Sequence, residues 1–375
     1  MTPIDVLDTP SNVIARPYGS RERIGFVGSG ADRPLRLHLN EHTAGCSPAV
    51  LAAIRDIERQ DVGRYPDYAP VTDACRRHFG VEAGWLTLTN GLDEGLHAAA
   101  YAVARATRSR AADRASIAST ALVVEPAFEM YAACADAAGL DVRHILPGDD
   151  PAFPVEAFFA ALAPDVRLIY LTDPNNPTGL AIPPGLVDRT CEAAPQALVM
   201  LDEAYGEYSG RTAIGPSLDR HRNLVVGRTF AKAYGLAGLR VGAIVAHPET
   251  LAPLRHVLPP FPLNISAVRA LEAALEDRQY LEWSIAQAAE SRGRIADACR
   301  RLGLHYWPSE GNFVLVKIGD AVGRVVDRMA ARGVLIRDRS QQPGCAGCCR
   351  ITAGVVEHTR VAIAALEDSL SRRQA

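Results

Sequence analysis

The sequence lacks the features of a membrane-spanning, secreted or nucleic-acid-binding protein. It contains no run of about 18 apolar residues, which a membrane-spanning helix would need. Its formal net charge of −3 gives no basic excess of the kind that binding to a phosphate backbone requires. The first residues, MTPIDVLDTPSNV, do not read as a basic segment followed by an apolar one, so we expect no signal peptide. We therefore expect a cytoplasmic protein with neither membrane nor nucleic acid as partner.

Cysteine is also sparse, since eight thiols in 375 residues are too few for a disulfide scaffold. Three of them cluster in CAGCC at 345–349, which could supply half of a metal site. A structural zinc site would need a second Cys/His pair at comparable spacing, and His358 alone does not supply it. We therefore expect reduced thiols and no metal at Cys345, Cys348 and Cys349.

Between about residues 49 and 250 the chain alternates short apolar runs with alanine-rich helical stretches. Strands are predicted at 86–89, 121–124, 166–172, 197–202, 223–227 and 240–246, and helices at 93–107, 128–138 and 184–194. Strands that alternate with helices predict a mostly parallel sheet with both faces covered. This part of the chain, taken as 37–260, is the predicted large domain.

The two ends of the chain are organised differently. Residues 1–36 are irregular and rich in proline, glycine and arginine, which favours an N-terminal arm. Residues 265–302 keep a helical period throughout, which predicts one long bridging helix. Beyond it the order is β-α-β-β (312–318, 321–333, 334–337, 349–352) with a final helix at 357–371. Residues 261–375 are therefore predicted to form a small α+β domain.

Polar residues follow four of the predicted strands. Because ligands of such sheets bind at the carboxyl ends of the strands, these residues are candidates for one site. A glycine turn that enters a helix, NGLDEG at 90–95, offers free N–H groups and a helix dipole to an anion, most simply a phosphate. The other three strand ends lead into DPNNPTG (173–179), Asp202 with Tyr205, and Thr229 with Lys232.

Three segments resemble the signature blocks of fold-type I pyridoxal-phosphate aminotransferases, and most closely the histidinol-phosphate aminotransferase family. They are PNNPTG (174–179), LDEAYGEY (201–208) and RTFAKAYGLAGLRVG (228–242), and they occur in the family's order. The resemblance runs from about residue 37 to the C-terminal helix. It implies a large domain with a mostly parallel seven-stranded sheet flanked by helices, a small α+β domain, pyridoxal 5′-phosphate as cofactor, and a homodimer with shared active sites.

The resemblance implies specific roles at the cofactor. Lys232 would form the Schiff base and then move a proton as general acid and base, and its small apolar neighbours would lower its pKa enough for that. Asp202 would pair with the pyridinium nitrogen and preserve the electron sink. Tyr205 and Asn176 would hydrogen-bond the phenolic oxygen. The remaining implied cofactor residues are Thr229, Arg240, Gly91, Leu92 and Asp93 at the phosphate, Phe128 stacked on the ring, and Tyr65 reaching into the neighbouring subunit's phosphate site.

The resemblance also implies substrate-binding residues. Arg350 in CCRIT would bind an anionic group, with Arg337 nearby and Tyr18 of the arm closing over the substrate. Residues 39–48, LNEHTAGCSP, line the substrate entrance in the family; Asn40 is kept there, but His42, Thr43 and Cys46 depart from the family's usual residues. His42 could serve as a proton-transfer group, but we favour an ordinary loop residue with satisfied hydrogen bonds.

Two kinds of enzyme fit these residues. The first transfers an amino group between histidinol phosphate, or a related aromatic or basic amino acid, and 2-oxoglutarate. The second is a pyridoxal-phosphate-dependent decarboxylase, oxidase or cyclase, because substrate-side contacts decide which bond at the α-carbon breaks. A regulator built on an aminotransferase-like domain is disfavoured, since about 36 mostly irregular residues precede the first family block, too few for a DNA-binding module.

Overall fold

A computed structural model describes residues 34–110, 119–148 and 150–371. The strands are β1 Leu35–Arg36, β2 Leu86–Asn90, β3 Thr120–Val124, β4 Asp141–Ile145, β5 Val166–Thr172, β6 Leu198–Asp202, β7 Leu224–Thr229, β8 Val241–Ala246, β9 His305–Tyr306, β10 Phe313–Lys317, β11 Val334–Leu335, β12 Arg337–Asp338 and β13 Cys348–Thr352. The helices are α1 Pro48–Arg55, α2 Arg59–Val62, α3 Ala69–Phe79, α4 Gly91–Arg110, α5 Met130–Ala137, α6 Val155–Ala160, α7 Leu186–Ala193, α8 Gly206–Ser209, α9 Pro216–Arg220, α10 Pro248–Arg255, α11 Ile265–Glu276, α12 Arg278–Arg301, α13 Val322–Ala331 and α14 Val356–Ser371. No helix in these ranges is long and apolar enough to cross a membrane.

The larger sheet has seven strands in the order β2-β8-β7-β6-β5-β3-β4. β8 runs antiparallel to β2 and β7, and the other neighbouring strands are parallel. The prediction of a mostly parallel seven-stranded sheet is therefore confirmed. The sequence pattern did not indicate β4, because its residues, DVRHI, are largely polar and lie at the sheet edge, where only Ile145 is buried.

Both faces of this sheet are covered. Alternate residues of β5 enter different cores: Leu168 and Tyr170 pack with residues of α4 and α5, whereas Ile169 and Leu171 pack with residues of α3, α7 and α11. This arrangement explains why the central strands are continuous apolar runs rather than alternating ones.

The sheet brings the four polar segments to one edge. Thr172 at the end of β5 pairs with Asp202 at the end of β6, and Asp202 pairs with Gly227 of β7. β8 starts at Val241 opposite Asn90, the last residue of β2, because these two strands are antiparallel. The segment before β8 and the start of α4 therefore lie beside the loops that follow β5, β6 and β7.

The C-terminal part forms a separate sheet, ordered β12-β13-β10-β9, while β1 pairs in parallel with β11. Apolar residues of both sheets pack with α12, α13 and α14 around one core that includes Leu37, Val314 and Met329. Leu35–Leu37 thus join the strands predicted for the small domain. The predicted domain boundaries themselves stay predictions.

Two predicted elements of this part are wrong in detail. The bridging helix at 265–302 is two helices, because the Asp277 side chain accepts a hydrogen bond from Tyr280 N (3.1 Å) and so caps the start of α12. The strand at 334–337 is also divided: β11 pairs with β1, and β12 pairs with β13.

Candidate active site

Lys232 lies at the centre of the polar edge. It follows β7 in a segment whose neighbouring side chains, Ala231 and Ala233, are buried. Its Nζ donates a hydrogen bond to Leu39 O at 3.2 Å. Burial, and then the positive charge of Arg350, lower the pKa of Lys232 to about 8. Near neutral pH a far larger fraction of this amine is uncharged than of an exposed lysine, as a nucleophile requires.

Asp202 is buried at the end of β6 and holds two hydrogen bonds. Tyr131 Oη donates to its Oδ2 at 2.7 Å, and Ala204 N donates to its Oδ1 at 2.8 Å. Burial raises the pKa of Asp202 to about 6, while the bond from Tyr131 acts in the opposite direction. The carboxylate is therefore mostly ionised at neutral pH and can hold a cationic ring nitrogen.

Sequence reasoning missed Tyr131 as part of this site. Its ring stacks on Tyr170 (centroids 5.0 Å apart), and Thr172 Oγ1 donates to its hydroxyl at 2.8 Å. Thr172, Tyr131 and Asp202 therefore form a buried hydrogen-bonded chain. Phe128 meets the same tyrosine edge-on, with centroids 5.7 Å apart.

A second set of contacts joins the loop after β5 to the strand β13. Arg350 is buried; its Nη1 donates to Asn176 Oδ1, and its Nη2 donates to His38 O at 2.7 Å. On the other side, Asn40 Nδ2 donates to the Tyr205 hydroxyl at 2.9 Å. The structure therefore brings together the predicted cofactor residues Asn176 and Tyr205 and the predicted substrate residues Asn40 and Arg350.

An anion cradle forms where α4 begins. Gly91 has φ +72°, and a Cβ added to it would lie 2.6 Å from Arg240 Nη2. A Cβ on Gly242 would likewise lie 2.6 Å from Leu92 N. The two glycines thus allow the Arg240 guanidinium and the first N–H groups of α4 to approach each other. Asp93 Oδ2 accepts from Arg240 Nη2 at 2.9 Å, so an anion would share this arginine with Asp93.

Thr229 completes the cradle at the end of β7. Its side chain is buried, and its Oγ1 accepts a hydrogen bond from Ala231 N at 3.2 Å. The hydroxyl hydrogen thus stays available to donate to an anion.

A cationic face lies beside Lys232 on the small sheet. Arg337 of β12 and Arg350 of β13 are directly opposite each other in the strand register. His38 is buried close by, and its Nδ1 has no hydrogen-bond partner among the described residues. Burial, followed by the charges of Arg36, Arg337 and Arg350, lowers the pKa of His38 to about 4. The positive charges of Arg337 and Arg350 would attract an anionic ligand to this face. Sequence reasoning missed His38, since no pattern marked it.

Three features predicted from the sequence are not part of the site around Lys232: Tyr65, Tyr18 and the cysteine cluster. Tyr65 is 76% exposed and stacks on Phe261, itself 50% exposed, with centroids 4.0 Å apart. Tyr18 lies outside the described residues. Cys345, Cys348 and Cys349 are buried free thiols, and no group of His, Cys, Asp or Glu in the described ranges could hold a metal ion.

His42 differs from its prediction. Its Nδ1 is buried and makes no hydrogen bond to the described residues, so the expectation of satisfied hydrogen bonds is wrong there. Burial lowers the pKa of His42 to about 4, and its ring packs near Tyr280 (centroids 5.6 Å apart) and Trp283 (6.0 Å). His42 therefore packs against the rings of Tyr280 and Trp283, which are distant in sequence, where a loop residue would normally have polar hydrogen-bond partners.

Comparison with known proteins agrees with this geometry. The family described as aminotransferase class I and II matches residues 34–366. Histidinol-phosphate aminotransferase 2 of Ralstonia nicotianae is 35% identical over 99% of this chain and 95% of that protein. Histidinol-phosphate aminotransferase 1 of Cupriavidus pinatubonensis is 34% identical over 96% and 92%. The solved structure of histidinol-phosphate aminotransferase from Sinorhizobium meliloti with pyridoxal-5′-phosphate is 29% identical, with a TM-score of 0.75, and the match covers 92% of this chain and 95% of that one.

Proposed function

The chain belongs to the class I and II aminotransferases and depends on pyridoxal 5′-phosphate, and on this basis we propose that it transfers the amino group of histidinol phosphate, or of a related aromatic or basic amino acid, to 2-oxoglutarate. The observation that carries the choice of substrate is the cationic face of Arg337 and Arg350 beside the Lys232 amine. An amino donor that carries a phosphate ester on the carbon next to its α-carbon would interact favourably with both guanidinium groups.

The residues present fit the cofactor. Gly91 lets the Arg240 guanidinium approach the start of α4, so Arg240, the first N–H groups of α4 and the Thr229 hydroxyl would hold the phosphate. Asp202 offers an ionised carboxylate to the ring nitrogen, and Tyr205 and Asn176 offer hydrogen bonds to the phenolic oxygen. When bound, pyridoxal phosphate supplies an electron sink for the substrate's α-carbon.

The residues of the chain would then have separate roles in the reaction. Lys232 Nζ, with its lowered pKa, would hold the cofactor and would move a proton at the substrate's α-carbon. Asp202 keeps a proton on the ring nitrogen, and the hydroxyl of Tyr131 holds the carboxylate in place. Arg350 binds and orients an anionic group of the substrate, which fixes the geometry at the α-carbon.

The phosphate cradle gives a first prediction. Gly91→Ala should weaken pyridoxal-phosphate binding by about tenfold or more, because its Cβ would displace the Arg240 guanidinium and cost a charge-assisted hydrogen bond. The dissociation constant can be measured by cofactor titration. Gly80→Ala is the matched control: Gly80 has a similar φ of +66° but no atom within 4 Å of an added Cβ. Equal affinities in the two variants would contradict the cradle.

The substrate proposal gives a second prediction. Histidinol phosphate and histidinol differ only in the phosphate, so kcat/KM should favour the phosphate ester by about 100-fold. Arg337→Gln should remove most of this preference through KM, whereas Arg324→Gln on the exposed side of α13 should keep it. The measurement is conversion of each donor to its ketone in single half-reactions. With aromatic or basic amino acids as donors, carbon dioxide release instead of amino transfer would favour a decarboxylase, and oxygen consumption would favour an oxidase.

We also propose a cytoplasmic homodimer with shared active sites. Tyr65 and Phe261 form a stacked aromatic pair that is largely exposed on one chain, and a second copy would cover it. All eight cysteines are free thiols, which is consistent with a reducing compartment. Light scattering of the purified protein should give the mass of two chains, and a monomer that is fully active would contradict the shared site.

A further inference from the structure

A loop of the small sheet holds both neighbours of Phe128. The loop, residues 339–347, joins β12 to β13. Arg339 Nη1 donates to Glu129 Oε1 at 2.7 Å, and Gln342 Nε2 donates to Ala127 O at 2.8 Å. Residues 127 and 129 flank the aromatic ring proposed to stack on the cofactor. The loop therefore holds the backbone on one side of that ring, at Ala127, and the Glu129 side chain on the other.

The same loop is anchored to the strands that carry the cationic face. Arg339 N donates to Cys348 O at 2.9 Å, and Gln342 N donates to Arg339 O at 2.9 Å. Arg337 lies two residues before Arg339, and Arg350 lies two residues after Cys348. A short, hydrogen-bonded path thus connects the proposed substrate-anion residues to Phe128.

The burial of Arg339 suits it to hold the loop 339–347 in one position. Its side chain is only 6% exposed, whereas Glu129 is 42% exposed. A buried guanidinium that loses its acidic partner is strongly unfavourable, so the pair favours one position of the loop over the alternatives.

We propose that Arg339 is a positioning residue that, with Gln342, sets Phe128 against the cofactor ring and links it to Arg337 and Arg350. The proposal rests on the proposed role of Phe128 in the same site. It differs from a purely stabilising role because it requires the geometry of the bound cofactor to change when Arg339 is lost.

The test uses the holoprotein and two readouts other than turnover. Arg339→Gln should weaken pyridoxal-phosphate binding by about tenfold, alter the visible circular dichroism of the bound cofactor, and speed hydrogen exchange at residues 126–130. Arg339→Lys should recover part of each effect. Gln342→Ala, which leaves the Arg339–Glu129 pair intact, should give a smaller change of the same kind and serves if Arg339→Gln does not fold.

Arg332→Gln is the matched control, since it breaks another ion pair of the small domain, with Asp368. It should lower thermal stability without changing the dichroism. The proposal is overturned if Arg339→Gln behaves as this control does. If Phe128→Ala leaves the dichroism and affinity unchanged, the stacking role fails. If histidinol phosphate is not a donor but Arg339→Gln still alters the dichroism, the substrate proposal fails and this one stands.

Discussion

Replacing Lys232 with alanine should lower turnover by at least about a thousandfold while the protein stays folded. The side chain combines a lowered pKa, near 8, with a position beside Arg350 and Leu39 O. Alanine removes both the amine that attaches the cofactor and the group that moves the proton. The surrounding segment should keep its structure, because the buried neighbours Phe230, Ala231, Ala233 and Tyr234 are unchanged.

Because lysine is rare in this sequence, the attachment site of the cofactor can be tested with a single control variant. The sequence contains only two lysines, Lys232 and Lys317. Lys317 is exposed at the end of β10, so Lys317→Ala is the matched control and should keep full turnover. Borohydride reduction followed by peptide mass spectrometry should place the cofactor on Lys232 in the native protein and in the control. An adduct on Lys317 with retained turnover in Lys232→Ala would refute the assignment.

Replacing Arg228 with methionine should lower the free energy of unfolding by about 3–5 kcal/mol, since it leaves two buried carboxylates without their cationic partner. Arg228 is 6% exposed; its Nη1 donates to Glu203 Oε2 at 2.9 Å and its Nη2 to Glu207 Oε1 at 2.5 Å. Its guanidinium also lies 5.2 Å from the centre of the Phe79 ring. Urea unfolding followed by far-ultraviolet circular dichroism measures the change.

The loss of stability should also affect the active site, because Arg228, Glu203 and Glu207 lie in the same chain segments as the cofactor residues. Glu203 follows Asp202, Glu207 lies two residues after Tyr205, and Arg228 precedes Thr229. Cofactor affinity should therefore fall together with stability in Arg228→Met. Arg301→Met, which breaks an exposed pair with Glu367, should change neither. Adding Glu203→Gln and Glu207→Gln to Arg228→Met should restore part of the stability; no recovery would show that packing, rather than unpaired charge, causes the loss.

Sequence reasoning succeeded where a strand has both faces buried. The central strands of the large sheet are unbroken apolar runs, so their number and order of appearance could be predicted. It failed at β4, whose edge position needs few apolar residues, and at Asp277, where a single capping hydrogen bond ends one helix and begins the next. The period of the apolar residues indicates which face of a helix or strand is buried, but it does not indicate where that element ends.

By itself the sequence determined where the cofactor segments lie, because their polar residues stand at or within a few residues of strand ends and their places are set locally. The roles of Lys232, Asp202 and Gly91 came from the resemblance of these segments to the aminotransferase signature blocks. The tertiary structure alone decided their partners. Tyr131 meets Asp202 across 71 residues, and Arg339 meets Glu129 across 210. Such contacts arise when separate elements pack together, and no short-range pattern of residues encodes which distant side chain will fill a given hydrogen bond.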